Sequence, residues 1–588
     1  MLNYILQTES HHKDYVVEYT NAAFIVGKDY AFKDGMFSGF DKATKRYDKK
    51  KWAFAKDDKG VPRRDPTLKD PRCVFQLLKT HYSRYTIDKV SSITGVSKDN
   101  LMTVWKAVAA TGKPDKAATI MYALGWTQHS VGVQNIRLAA MIQLLLGNIG
   151  VAGGGINALR GEPNVQGSTD HAILWHILPG YLPVPSTTWP TLAEYNKANT
   201  PVTSDPKSAN WWGNRPKYMA SLLKSWFGDA ATAENEFGYG WLPKVDPHVD
   251  YASLYIVDRM YKGHIKGGFV FGHNPAQSMP NTNKVRKALQ NLDWLAVGEV
   301  HDTETASFWR QPGLDSKAIK TEVFLLPACQ RGEKDGTTSN SGRWLMWHYK
   351  GCEPRGDSHS MGWMVVEIMK RVVDLYKKEG GTFPEPILNL DWYPEYDADR
   401  VAKDINGHFT RDTKVGDKEY KKGDQVPSFV ALTDDGATTS MNWLYTGCYG
   451  PAGNLSQRRD HKQTPMQAKI GLFPNYSWAW PVNRRIIYNR ASVDVNGKPF
   501  NPDKAVIAWE DGKWVGDVPD GGWPPMADPK GKYPFIMQAE GHGQLYGPGR
   551  MDGPFPEHYE PAETPVTSHP FSKQLNNPCM KVIESDMD

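Results

Sequence analysis

The densest set of residues able to do chemistry lies between Gly147 and Asp170, in the run GNIGVAGGGINALRGEPNVQGSTD. Gly153, Gly154 and Gly155 permit positive φ and close approach of the backbone to a ligand. Arg160 follows in a loop, flanked by Gly161, with Asn164, Gln166, Ser168, Thr169 and Asp170 close behind. That is one permanently charged fork of donors among many hydrogen-bonding groups. The same spacing describes an irregular glycine-rich turn with a surface arginine, and spacing alone leaves both readings open.

Smaller candidates lie elsewhere. Gly125-Trp126-Thr127-Gln128 ends one β-like run and Gly272-His273-Asn274-Pro275 ends another; either is also a plain turn, Asn-Pro being a common loop dipeptide. Asp302 follows a third run and can accept bonds from a base edge or ribose, as acidic residues at strand ends do in nucleotide folds. His171, His176, His264 and His348 show no metal-ligand spacing and read as structural. Arg458-Arg459 suits either phosphate, an electron-transfer partner or a solvated ion-pair surface. The five cysteines, Cys73, Cys329, Cys352, Cys448 and Cys579, form no C-x-x-C pair and read as buried thiols, which leaves the redox compartment open.

The elements that position these residues follow a repeating order. Ser97 caps a helix with Leu101, Val104, Trp105 and Val108 on one face. A strand over Ala118–Leu124 is followed by a polar loop and then by a helix with Ile136, Ala139, Ala140, Ile142, Leu145 and Leu146, closed by Gly147. The order returns with a strand at Phe269–Phe271, a helix with Val285, Ala288, Leu289 and Leu292, a strand at Trp294–Val297 and a strand at Val323–Leu326 stopped by Pro327. Consecutive β-α-β crossovers make parallel sheets, with ligands outside the carboxyl ends of the strands. The loops from Gly272, His301 and Ala328 are therefore expected to share one crevice. A further helix runs near Met361–Tyr376, and 386–588 is rich in Pro, Gly and Trp. Residues 1–84 read as polar, with Asp41–Lys59 a solvated loop.

Composition narrows the class. The chain has 588 residues, enough for two or more large domains. Lys+Arg 70 against Asp+Glu 65 gives +5, too near balance to argue for nucleic acid or an anionic membrane. The 21 Trp and 41 Pro suit long packed loops, and equally a carbohydrate-stacking surface. The apolar run Leu138–Leu146 contains Gln143 and reads as a buried helix, not a membrane span.

Taken together, these blocks resemble the molybdopterin oxidoreductase family, most of all its respiratory formate dehydrogenases. The resemblance rests on G-W-T-Q-H at 125–129, the L-G-N-I-G helix end, the Arg160 block, Phe271–Ala276, His301–Ala306, Leu326–Ala328 with Glu333–Thr337 and Asn340–Arg343, Gly450–Asn454, Gln457–Asp460 and Trp480–Arg485. It covers nearly the whole chain, and the order of many blocks is far more specific than any one motif. A nitrate or sulfur-compound reductase is the rival within the family, and a non-catalytic binding protein the rival outside it.

The resemblance implies an α/β fold, with parallel Rossmann-like sheets of the DMSO reductase-like type and long irregular excursions. It implies three stretches: 1–158 lining the metal–pterin site, 159–385 as a second, dinucleotide-type α/β domain, and 386–588 completing that domain. It implies molybdenum or tungsten bis(molybdopterin guanine dinucleotide), contacted by Gly125, Trp126, Thr127, Gln128, Gly161, Glu162, Gln166, Gly167, Gly272, His273, Asn274, Pro275, Ser278, His301, Asp302, Thr303, Lys334 and Asp335. Arg160 becomes the clamp on formate, or else a partner of a pterin phosphate. Partners would be an iron–sulfur subunit and a membrane cytochrome subunit, in the periplasm. The family's [4Fe–4S] cysteines, its metal-ligating selenocysteine or cysteine and the adjoining histidine are absent here and are expected upstream of Met1, with the C-terminal β-barrel expected beyond Asp588.

Overall fold

In the computed structural model the strand over Thr119–Tyr122 (β1) pairs in parallel with Gly155–Ala158 (β2), in register Thr119 to Gly155 and Tyr122 to Ala158. The structure describes residues 1–162, 164–203, 205, 208–479, 486–517, 524–525, 536–561, 564–571 and 573–579, so the block Trp480–Arg485 lies outside the described residues. The crossover between β1 and β2 is the helix Gly132–Leu145. Gln143, the polar interruption of its apolar run, is fully buried and donates to the carbonyls of Ala118 (2.6 Å) and Gly155, tying the helix to both strands. Gly147, at φ 71°, ends the run as expected. The stretch 125–128 is no open loop: Leu124–Thr127 forms a helical turn whose end, Gln128, bonds back to Leu124.

The second sheet has the order β5-β4-β3, all parallel, from Gly267–Phe271 (β3), Trp294–Glu299 (β4) and Glu322–Pro327 (β5). The helix Thr282–Leu289 makes the first crossover. The second, expected to be helical too, carries only two single-turn 3₁₀ segments, Phe308–Arg310 and Ser316–Ala318. The reason is local: Pro312 and Gly313 break any helical run, and Ala306 and Phe308 bury directly beneath the sheet. A hairpin, Gly336–Ser339 (β6) with Leu345–His348 (β7), and the helix Met361–Glu379 follow. Ser97 caps Lys98–Ala109 as its spacing predicts, with Trp105 buried, although Val104 stays 52% exposed.

Residues 1–84 depart from their polar reading. Leu2, Ile5, Leu6, Tyr15, Val16, Phe75 and Leu78 pack in one core, and within the supposed solvated loop Tyr47 and Trp52 are buried. In irregular chain a single inward aromatic every few residues suffices, and no periodicity announces it. The tryptophan richness has the same explanation, since Trp52, Trp211, Trp443, Trp478 and Trp514 are all buried.

Residues 541–561 return to this N-terminal core. Fully enclosed Asn21 donates to Tyr546 O (2.7 Å) and accepts from the amides of Leu545 and Tyr546. Glu557 accepts from His81 (2.9 Å), Gln574 (3.0 Å), Arg84 and Tyr85 with its side chain wholly buried. Burial alone would raise its pKa, but the hydrogen bond and charge of His81, then Arg84 and Tyr85, outweigh this and hold it at about 2, from an ordinary value of 4.5. Burial meanwhile pushes the pKa of His81 below its ordinary 6.5, against the hydrogen bond and charge of Glu557.

Because the folded-state value of Glu557 is depressed, its contribution is present above about pH 4.5 and is lost as pH falls toward 2. Glu557→Gln should cost about 3–5 kcal/mol at neutral pH, the usual range for breaking a buried pair. Denaturant unfolding should show that gap narrowing when the comparison is repeated at pH 3.

Candidate functional site

Pairing β1 with β2 sets their carboxyl ends side by side. Leu159 N–H donates to Tyr122 O (2.7 Å), and Arg160 N–H donates to Ser341 Oγ (3.0 Å). The backbone of Arg160 is thus held from both sides while its side chain is exposed. Among the described residues its guanidinium has no hydrogen-bond or ion-pair partner. Gly125 and Gly161 border this end, each with open space where a side chain would start. Trp126 stacks on Tyr122 (5.4 Å between rings, 23°), whereas Gly125, Thr127 and Gln128 are exposed.

The loop after Arg160 turns into the short helix Val165–Asp170, pinned by a buried carboxylate. Asp170 Oδ1 accepts from Tyr181 (2.8 Å) and Gln166 (2.8 Å), and Oδ2 accepts from Tyr445 (2.9 Å). Burial, then the Asp170 charge, pushes both tyrosine pKa values up, so the phenols remain donors. Asn442 donates to Asp170 O (2.7 Å) and sits 3.2 Å from His171 Nδ1. Packed protein lowers the pKa of His171 to about 4 even though its edge faces open solvent, so the ring is neutral. Asn164 Oδ1 accepts from Ser339 N–H (2.9 Å), joining the loop to β6. Gly167 is required here, because a Cβ would stand 2.3 Å from Asn164 Oδ1. Gln166 and Gly167 therefore serve the loop's own shape, and Glu162 is exposed.

At the ends of β3 and β4 two of the three loops expected to share a crevice do meet, whereas the loop after β5 opens on a separate cleft. Asn274 Oδ1 accepts from the amide (3.1 Å) and hydroxyl (2.8 Å) of Thr305, and its Nδ2 donates to Glu304 (2.6 Å). Its side chain is therefore occupied in holding two loops together. His273 pairs with Ser278 (2.9 Å). Asp302, expected to face a base or ribose, already accepts from Arg310 (2.9 Å) and Ser307. Asp302, Thr303 and Arg310 border an open cleft of about 340 Å³, His301 is exposed nearby, and Pro275 starts the next short helix.

After β5 lies a larger cleft, about 560 Å³, holding Lys334 and Asp335. Sequence reading missed its other walls: Trp347, Tyr349, Trp363 and Tyr396, plus the N-termini of two helices at Ser360 and Asp397. Aromatic faces, a lysine and two helix N-termini suit a flat polar ring joined to phosphate. Burial, then Arg331 and Lys334, lowers the pKa of His348 at the edge of this region. Arg459 is committed to the carbonyls of Ser456 and Trp347, so its pair with Arg458 is not a free phosphate site.

Residues 83–371 match the family model described as Molybdopterin oxidoreductase. Formate dehydrogenase 2 subunit alpha (cytochrome c-553) of Nitratidesulfovibrio vulgaris is 64% identical, over 100% of this chain and 58% of the relative. Formate dehydrogenase subunit alpha of Megalodesulfovibrio gigas is 57% identical over 98% of the chain and 58% of the relative. The nitrate-inducible formate dehydrogenase major subunit of Escherichia coli is 44% identical over 100% and 58%. The chain thus spans 58% of the length of these relatives.

The Asp170 cluster should behave as one unit. Tyr445→Phe removes one bond to a charged acceptor and should cost about 1.5–3 kcal/mol in unfolding free energy. Combined with Asp170→Asn, the loss should fall short of the sum of the single losses. Additive losses in a double-mutant cycle would show that the three donors act independently.

Proposed function

Because the chain belongs to the molybdopterin oxidoreductase family, we propose that it is the central part of a formate dehydrogenase catalytic subunit, converting formate to CO2. When bound, a molybdenum or tungsten bis(molybdopterin guanine dinucleotide) centre would supply the two-electron acceptor, and a [4Fe–4S] cluster of the same subunit would be the next carrier. An iron–sulfur subunit, and through it a membrane cytochrome subunit, receive the electrons in the periplasm. Among the described residues no helix is long and apolar enough to cross a membrane.

The observation that carries this reading is the unpartnered guanidinium of Arg160, on a loop fixed at both sides and at the ends of two parallel strands. Its fork matches a planar carboxylate two points to two. Held this way, formate keeps its C–H bond aimed in one direction, which is a contribution of orientation. Neutral CO2 has no such grip and is released.

The residues present fit the pterin dinucleotides. Gly125 and Gly161 leave open cradles, and Gly125–Gln128 supply neutral donors and acceptors at one strand end. Gly272, His273, Pro275, Ser278, His301, Asp302 and Thr303 would hold one guanosine portion, with Asn274 keeping their two loops in register. Lys334 and the helix N-termini beside it would neutralise phosphate, and Asp335 would accept from a ring edge or hydroxyl. Met121 of β1 and Phe324 of β5 are 64% and 46% exposed. Parallel sheets ordinarily bury both faces, so further parts of the same subunit would pack there.

In the complete enzyme, Arg160→Lys keeps the charge and loses the planar grip. It should cost on the order of 2–4 kcal/mol of transition-state stabilisation, roughly 30- to 1000-fold in kcat/KM. Metal and pterin content should stay near wild type. If Arg160→Ala instead releases the pterin, the arginine is a phosphate ligand, and if it keeps full turnover the loop is not at the substrate.

A further inference from the structure

A separate cluster lies in the segment packed against the N-terminal core. We propose that His558, Glu560 and His569 form a zinc-type metal site there, apart from the pterin clefts. Their ligand atoms all fall within 4.8 Å of one another. Glu560 Oε1 stands 3.4 Å from His558 Nε2 and 3.3 Å from His569 Nε2. Ligands on a tetrahedron with zinc bonds of about 2.0–2.1 Å lie about 3.3–3.4 Å apart. The carboxylate oxygen therefore already holds ligand spacing to both rings, and only the two rings must close on each other. They stack at 4.9 Å and 30°, and the His558 side chain, one-third exposed, has room to turn.

His569 supplies the second observation. Its side chain is 1% exposed, yet among the described residues its Nε2 has no hydrogen-bond partner although it lies beside Glu560. An orphaned buried nitrogen is costly, and a metal bond satisfies it. The other nitrogen, Nδ1, is 3.0 Å from Phe571 N and 3.2 Å from Phe571 O. Without metal it accepts from the amide. With metal on Nε2 its N–H donates to the carbonyl, the usual orienting bond of a metal-bound imidazole.

The frame is preset before any ion arrives. Glu560 N–H donates to Gln574 O (3.1 Å), Gln574 donates to His558 O (2.6 Å), and Tyr559 donates to Gly35 O (2.5 Å). The ion would tie His569 to this frame. Two imidazoles and one carboxylate favour zinc over the oxygen-seeking calcium and magnesium, with water in the fourth position. The role is a structural staple, since binding to the folded state alone raises stability.

The test uses the complete subunit, stripped with a chelator and titrated with zinc chloride. Zinc retained after desalting is measured by mass spectrometry and its ligands by zinc K-edge absorption. The wild type should retain about one equivalent more than His569→Ala, with a nitrogen- and oxygen-ligated edge and a zinc-dependent rise in Tm. Should His569→Ala fail to fold, His558→Gln, at the more exposed ligand, replaces it, and Glu560→Gln should weaken retention at least tenfold. Equal zinc in wild type and variants, or none retained by wild type, overturns the site and leaves an ion pair only. Neither readout depends on formate turnover, so this result stands apart from the proposed activity.

Discussion

One buried carboxylate holds the loop that carries Arg160 in place. Asp170 draws donors from Gln166 on its own helix, from Tyr181 just beyond and from Tyr445, 275 residues away in sequence. Each bond to a buried charge is stronger than a neutral one, and leaving that charge short of donors is costly. The loop carrying Arg160 therefore has little freedom at its far end, while Leu159 and Arg160 fix its near end. The guanidinium projects from a rigid base, which is what a positioning role requires.

This explains why so much irregular chain is tolerated. The excursion that brings Asn442, Trp443 and Tyr445 has little secondary structure, but it is packed. Trp443 stacks on Tyr218 at 4.2 Å and 2°, and its indole N–H donates to Gly180 O (2.8 Å). Hydrogen bonding and aromatic contact replace regular elements as the support for the loop. Similarly, Asn274 and Thr305 tie two strand-end loops together.

Legibility in the sequence followed the range of the forces involved. The sheet of β3, β4 and β5, the strand β1 and the helix Gly132–Leu145 were readable because their apolar patterns are local and periodic, whereas β2 lies within the glycine-rich run and was not read as a strand. Gly147 and Ser97 were readable because caps need particular residues. The core of residues 1–84 was not read, although Leu2, Ile5 and Leu6 share one helix face and Val74, Phe75 and Leu78 another, because Tyr47 and Trp52 obey no period and partners of this core lie near residue 550. The same holds at the site. Arg160 stands out by charge among glycines, whereas the roles of Tyr181, Asn442 and Tyr445 exist only once distant segments meet. Asn274 and Asp302 were legible as loop residues, but their bonds to Glu304, Thr305 and Arg310 depend on how two loops approach. The aromatic walls around Lys334 come from three separate stretches and carry no common motif.

The central claim is that the free guanidinium of Arg160 receives the substrate carboxylate. The most direct measurement is a crystal structure of the complete subunit, loaded with its cofactor, in complex with formate. The account predicts both carboxylate oxygens at about 2.7–2.9 Å from the Arg160 guanidinium nitrogens, with the Leu159 and Arg160 backbone bonds unchanged. Formate bound elsewhere, with Arg160 paired to a pterin phosphate, would contradict it.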